Sequence, residues 1–305
     1  MAVVARIIAA LTALAFAPGS ALAQSHDGPS EWQINYQAPA SQVMEYIDWF
    51  SWYTVVIMAL IVLLVIGLIA WCAWKYNERS NPVPSRITHN TTVEVLWTVL
   101  PGLILVMIAI PSFRLLYGQY DPSKLYEDYD PETQPFMTVK VTGVQWSWNV
   151  DYSNDEDSVR NGVAEPISLS MFMVPDSDIG ENQYRNLSVD SPMVVPVDTF
   201  VRVQVTADGD AIHAFAMPAF GLKVDAVPGR INETYFKAER EGYFYGQCSE
   251  LCGKDHAFMP FGMIVVSQDR FRSWAEAAAS DLEGAYQTLL AELEADKDAN
   301  KLAAR

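Results

Sequence analysis

Residues 50–74 read FSWYTVVIMALIVLLVIGLIAWCAW and residues 95–113 read VLWTVLPGLILVMIAIPSF, runs of 25 and 19 residues without a formal charge. A helix needs about 20 such residues to cross a hydrocarbon core roughly 30 Å thick, and both runs meet that length. Trp49, Trp52 and Tyr53 flank one end of the first run, and Trp71, Trp74 and Tyr76 flank the other. Amphipathic aromatic rings at both ends are what two membrane–water interfaces select. Pro101, Gly102 and Pro111 in the second run predict a bent helix supported by neighbouring helices. The connecting loop, 75–93, holds Lys75, Arg79 and Arg86 against Glu78 alone. Short loops rich in Lys and Arg stay in the cytoplasm, which places the rest of the chain outside.

The N-terminus agrees with this topology. Arg6, the apolar run Ile7–Phe16 and the small residues Ala21-Leu22-Ala23 form an export signal over 1–23, with cleavage leaving Gln24 first. Segment 24–117 then carries the hairpin of two spans. Composition points the same way: half of the 305 residues are hydrophobic and 19% are charged. The formal charge is −17, which repels phosphates and excludes nucleic acid as a partner.

Residues 118–268 change character. Apolar and polar residues alternate in Met137–Thr142, Ile167–Val174 and Thr199–Ala207, separated by Asp, Asn, Gly and Pro clusters. Short strands at that spacing predict a small antiparallel sandwich or barrel. This segment carries 23 acidic and 10 basic residues, a net −13, and therefore most of the chain's negative charge. The polar stretch Ser153–Glu165 reads as a loop. In the tail, 269–305, Phe271, Trp274, Ala278, Leu282, Tyr286, Leu289 and Leu293 recur at three- and four-residue intervals. That period predicts a helix packed on its own subunit or on a neighbour.

The chemistry is concentrated in Gly246–Pro260, GQCSELCGKDHAFMP, a Cys-x3-Cys-x3-His-x2-Met pattern, with His213 upstream in DAIHAF. Thiolates, imidazoles and a thioether together suit copper. A structural disulfide between Cys248 and Cys252 leaves His213, His256 and Met259 without a role. A Cys2His2 zinc site leaves Met259 as packing. A single blue-copper site leaves one cysteine spare. A two-copper centre bridged by both thiolates uses the whole set.

With VQWSW at 144–148, DAVPGR at 225–230 and the Cys–His–Met loop, the chain resembles subunit II of the haem–copper cytochrome c oxidases of bacterial type over essentially its whole mature length. That resemblance implies a cupredoxin-like Greek-key barrel holding a binuclear CuA centre. Cys248 and Cys252 would bridge two copper ions, His213 and Met259 completing one, His256 and the Glu250 carbonyl the other. The Glu250 carboxylate would reach a magnesium or manganese ion shared with subunit I, which bears the haems. Trp146 would be the electron-entry residue, with Gln145, Asp151, Asp190 and Asp210 on the surface that docks cytochrome c. Glu94 would open a proton path into subunit I, and subunit III would complete the assembly. The resemblance places the chain in the bacterial inner membrane, with its C-terminal domain in the periplasm. Two other classes remain in view, a membrane-tethered copper-delivery protein and a quinol oxidase subunit whose copper ligands are lost.

Overall fold

The computed structural model describes residues 28–29, 32–180 and 183–303, with side chains to 296. The export signal read at 1–23 lies outside the described residues. Helix α1, Gln42–Lys75, starts at Ser41, whose hydroxyl accepts from the Met44 N–H and donates to the Phe220 carbonyl. Helix α2, Thr91–Gly118, starts at Asn90, whose side chain accepts from the Val93 N–H. These caps satisfy backbone donors that have no partner within the helix. Both helices are long and apolar enough to cross a membrane, and their central side chains are exposed.

Helix α2 runs continuously through Pro101 and Pro111. Proline has no N–H, so Pro111 leaves the Met107 carbonyl without its helical donor. The Tyr53 hydroxyl of α1 donates to that carbonyl at 3.2 Å, so the neighbouring helix supplies the missing bond. Tyr46 makes a second crossing bond to the Pro111 carbonyl at 3.4 Å. Tyr53→Phe should destabilise the hairpin by about 0.6–2 kcal/mol, the range for hydrogen bonds between helices in membranes. Reversible unfolding in mixed micelles measures it, and an unchanged midpoint would remove this bond from the account.

Among the described residues the following domain has ten strands: β1 Met137–Val144, β2 Ser147–Tyr152, β3 Ile167–Met171, β4 Met193–Pro196, β5 Phe200–Ala207, β6 His213–Met217, β7 Leu222–Ala226, β8 Asn232–Lys237, β9 Gly242–Gln247 and β10 Pro260–Val266. They form sheets ordered β3-β2-β1-β5-β8, β4-β10-β9 and β6-β7. The strand segments predicted from alternation are present, but the two larger sheets are mixed, β6-β7 is an antiparallel pair, and the sheets do not close into a barrel. Strands β1 and β5 run parallel, as do β4 and β10. Parallel neighbours need a long crossover, and residues 145–199 provide it for the first pair. Within that crossover the stretch read as a loop, Ser153–Glu165, contains a short helix α3, Glu156–Arg160. Asp155 caps it by accepting from the Ser158 N–H at 2.8 Å.

The tail forms two helices instead of one, α4 Gln268–Ala278 and α5 Leu282–Ala303. The chain breaks at Ser280-Asp281, where Asp281 accepts from the Gly284 N–H. Of the two packing partners left open by the sequence, the tail takes its own subunit. Trp274 lies between Tyr152 and Tyr286, at ring-centre distances of 5.6 and 5.7 Å, in the same core as the strands. A second aromatic cluster of Tyr126, Phe200 and Tyr235, with Val43 and Leu125, joins the hairpin to the strand domain. The Tyr235 hydroxyl donates to the Gly118 carbonyl at the end of α2. Helices and strands therefore meet through packed rings and a hydrogen bond, which holds the metal-binding end of the domain in a set orientation.

Candidate metal centre

His213 opens β6 and is fully buried. It packs edge-to-face against Trp148 at 5.9 Å. Beneath it, a Cβ on Gly143 would lie 3.0 Å from the His213 ring carbon and from Trp148, so β1 carries glycine where the imidazole approaches. The other donors stand on the loop between β9 and β10. The Ser249 N–H donates to the Ala214 carbonyl at 3.1 Å, laying this loop against β6. Trp148 then holds the far end, its indole donating to the Met259 carbonyl at 3.2 Å.

The two sulfurs sit 3.8 Å apart, and both cysteines are free and buried. Cys248 Sγ lies 3.8 Å from His213 Nδ1 and 3.3 Å from the Glu250 carbonyl oxygen. Cys252 Sγ lies 3.6 Å from His256 Nδ1 and 3.4 Å from Met259 Sδ. Each sulfur thus has one imidazole and one further donor beside it. The ligand atoms of His213, Cys248 and Cys252 all fall within 4.8 Å of one another. Thiolate–metal bonds are about 2.3 Å for a borderline ion, so both sulfurs can reach one ion beside the line that joins them.

Electrostatics also suit a cation. Burial, then the neighbouring His256, lowers the affinity of His213 for a proton, which favours the neutral, ligating imidazole. Its Nε2 is buried without a hydrogen-bond partner. Burial, reinforced by Cys248, pushes the Cys252 thiol up to about 12. A bare thiolate at Cys252 is therefore disfavoured here, and a bound metal cation would supply the charge that favours it. The chemistry of the donor set fits copper.

Gln145 and Trp146, in the turn between β1 and β2, converge on the same loop. Gln145 Nε2 donates to the Cys252 carbonyl at 2.8 Å and the Trp146 indole at 3.3 Å. Glu250 brings its main-chain carbonyl to the Cys248 sulfur, while its side chain belongs to an exposed residue. The three carboxylates read as a docking patch are held differently. Asp151 on β2 stands opposite Lys140 and accepts from Ser168 at 2.7 Å. Asp190 is exposed and accepts from the Phe172 N–H at 2.9 Å. Asp210 is exposed in the turn ahead of β6. Glu94 stands apart at the start of α2, where its carboxylate accepts from the Asn90 N–H at 3.2 Å.

Sequence reasoning missed two contributors. Gly143 is visible in retrospect as a glycine at an inward position of β1. Lys254, whose ammonium lies 5.4 Å from the centre of the Trp146 ring, had no signal beyond its place after Cys252-Gly253.

The family model described as "Cytochrome C oxidase subunit II, periplasmic domain" matches residues 137–274, and "Cytochrome C oxidase subunit II, transmembrane domain" matches 29–115. The chain is 41% identical over 246 residues to a probable cytochrome c oxidase subunit 2 of Rickettsia felis, covering 81% of this chain and 72% of that one. It is 40% identical over 262 residues to cytochrome c oxidase subunit 2 of Mycosarcoma maydis, covering 86% and 97%. A solved periplasmic domain of subunit II of cytochrome oxidase from Bradyrhizobium japonicum is 51% identical, covers 48% of this chain and 95% of that one, and superposes with a TM-score of 0.42. With both halves matched and relatives aligned over most of its length, a chain that joins two membrane-length helices to a buried His–Cys–Cys cluster belongs to the cytochrome c oxidase subunit II family.

Proposed function

We propose that this chain is the electron-input subunit of a terminal respiratory oxidase, taking electrons from cytochrome c at a binuclear copper centre. The observation that carries the proposal is the pair of free thiols 3.8 Å apart, each with its own imidazole. Cys248 and Cys252 would hold two copper ions, with His213, His256, Met259 and the Glu250 carbonyl as the further donors. When bound, this pair supplies a site that accepts and returns one electron at a time.

The chain's own residues do the rest. The buried His213, Cys248, Cys252 and Met259 exclude water from the sulfurs, and Trp148 fixes the Met259 main chain. Trp146, half-buried and bonded to the Cys252 carbonyl, stands between a docked donor and the sulfur ligand. Asp151, Asp190 and Asp210, on a domain of net charge −13, attract a basic cytochrome c. The Glu250 carboxylate would hold a magnesium or manganese ion at the boundary with subunit I. That polypeptide bears the haems, reduces oxygen to water and translocates protons, with Glu94 at the entrance of one proton path and subunit III completing the assembly. The chain lies in a bacterial inner membrane, crossing it twice, with the strand domain in the periplasm. Burial of both thiols argues against a copper-delivery role, which requires an exchangeable site.

Copper reconstitution of the full chain in detergent tests this reading. Two copper ions per chain with a mixed-valence near-infrared band are expected, and one copper, or zinc alone, would overturn it. The docking claim has its own measurement. Exposed charges more than about 10 Å apart are largely screened at 0.1 M salt, so the KM for cytochrome c should rise with ionic strength. A flat KM would take the acidic face out of the account.

A further inference from the structure

We propose that Gln145 is a positioning residue for electron entry, acting on Trp146 and the Cys252 main chain. The claim rests on the reading of the site as a copper centre fed through Trp146. Residues 145 and 146 send two N–H donors to one acceptor, the Cys252 carbonyl, across more than a hundred residues of chain. Gln145 makes the shorter bond, at 2.8 Å against 3.3 Å for the indole. Gln145 is an exposed residue, and one N–H of its amide is engaged with the copper loop.

The surroundings lock this contact. Gly253, next to the shared carbonyl, has a φ of +128°. A Cβ there would lie 2.9 Å from Trp146 Cζ2 and 3.3 Å from Gln145 Nε2, so only bare backbone lets the loop close on the turn. Lys254 then places its ammonium 5.4 Å from the ring centre, paired with Asp255 at 3.6 Å. A cation near an aromatic ring adds attraction to the contact. The indole is held by its N–H, by the glycine backbone and by Lys254, while Gln145 ties the same carbonyl from the neighbouring residue. Removing the Gln145 donor leaves the weaker, longer indole bond to keep the ring against Cys252.

Charge separates positioning from docking. Gln145→Glu removes the donor and adds a carboxylate that a basic cytochrome would welcome. Gln145→Met removes the donor at similar length without charge. Both are measured in the assembled oxidase, at saturating cytochrome c, by flash-induced electron transfer, with copper content, copper spectrum and thermal midpoint read on the same samples. Positioning expects both variants to retain two coppers and slow electron entry about tenfold or more, since small misplacements are costly in rate. It also expects KM to change less than the entry rate, and a shifted copper spectrum. In the metal-free full chain, the Trp146 indole proton should exchange with deuterium faster in both variants, a readout that needs no activity. An unchanged entry rate with a lower KM in Gln145→Glu would overturn the proposal in favour of docking. A slow variant that has lost copper would overturn it in favour of plain structural support. Failure of the unsubstituted chain to bind two coppers would instead defeat the metal-centre reading beneath it.

Discussion

Cys252→Ser is expected to abolish the dicopper spectrum and to lower the bound copper from two ions per chain to one or none. Cys252 Sγ is the contact of both His256 and Met259, at 3.6 and 3.4 Å, so its loss separates two further donors from the rest. A serine hydroxyl is a hard, neutral donor that stays protonated at neutral pH, and it does not replace a soft thiolate for reduced copper. The remaining thiol, Cys248, keeps His213 and the Glu250 carbonyl, enough for at most one weakly held ion. Cys248→Ser should produce the same loss from the other side, because a shared pair has no spare member. Metal analysis and the near-infrared spectrum decide the outcome, with thermal unfolding of the metal-free chains showing whether the scaffold survives. A normal spectrum in either variant would mean that one thiolate suffices, and a mononuclear site would replace the binuclear one.

Trp146→Phe should slow electron entry about 100-fold or more, the scale of loss when a reacting group is displaced by about 1 Å, while cytochrome c binds almost as before. Phenylalanine keeps an aromatic ring but lacks the N–H that bonds the Cys252 carbonyl at 3.3 Å. The route then loses a hydrogen-bonded step, and the ring loses its registration between Gly253 and Lys254. Trp146→Ala should be slower still. Full truncation of a buried tryptophan costs about 3–5 kcal/mol, and half-exposed Trp146 should cost less, leaving a folded protein to study. Flash-induced transfer and thermal unfolding on the same samples separate the roles. A folded variant with a normal rate would end the entry role, and a variant slow only because it has unfolded would return Trp146 to packing.

The sulfur and imidazole donors and the two membrane-length helices were legible in the sequence because each is a matter of residue type or local composition. A span depends on charge-free length against the thickness of a hydrocarbon core, so Phe50–Trp74 and Val95–Phe113 announce helices that prove to be Gln42–Lys75 and Thr91–Gly118. The ligand set depends on residue type, and soft donors at short spacing stand out in a chain with three cysteines and four histidines. The alternating segments likewise revealed strands at Met137–Val144 and Phe200–Ala207.

Alternation names a strand's buried face but not its neighbour. The parallel pairing of β1 with β5 was therefore decided by the long crossover and the core that it encloses, and within the expected β-rich sandwich or barrel the two larger sheets are mixed and not closed. In the same way only folding could show that the tail breaks at Ser280-Asp281 and buries Trp274 between Tyr152 and Tyr286. The donor that Pro111 removes from α2 is replaced by Tyr53, 54 residues before the Met107 carbonyl that it serves. Gln145 reaches the Cys252 carbonyl from 107 residues away. Composition and spacing thus determined which elements and donors this protein has. Their partners were settled only by tertiary structure, because each hydrogen bond and ring contact joins groups whose proximity comes from packing and not from order along the chain.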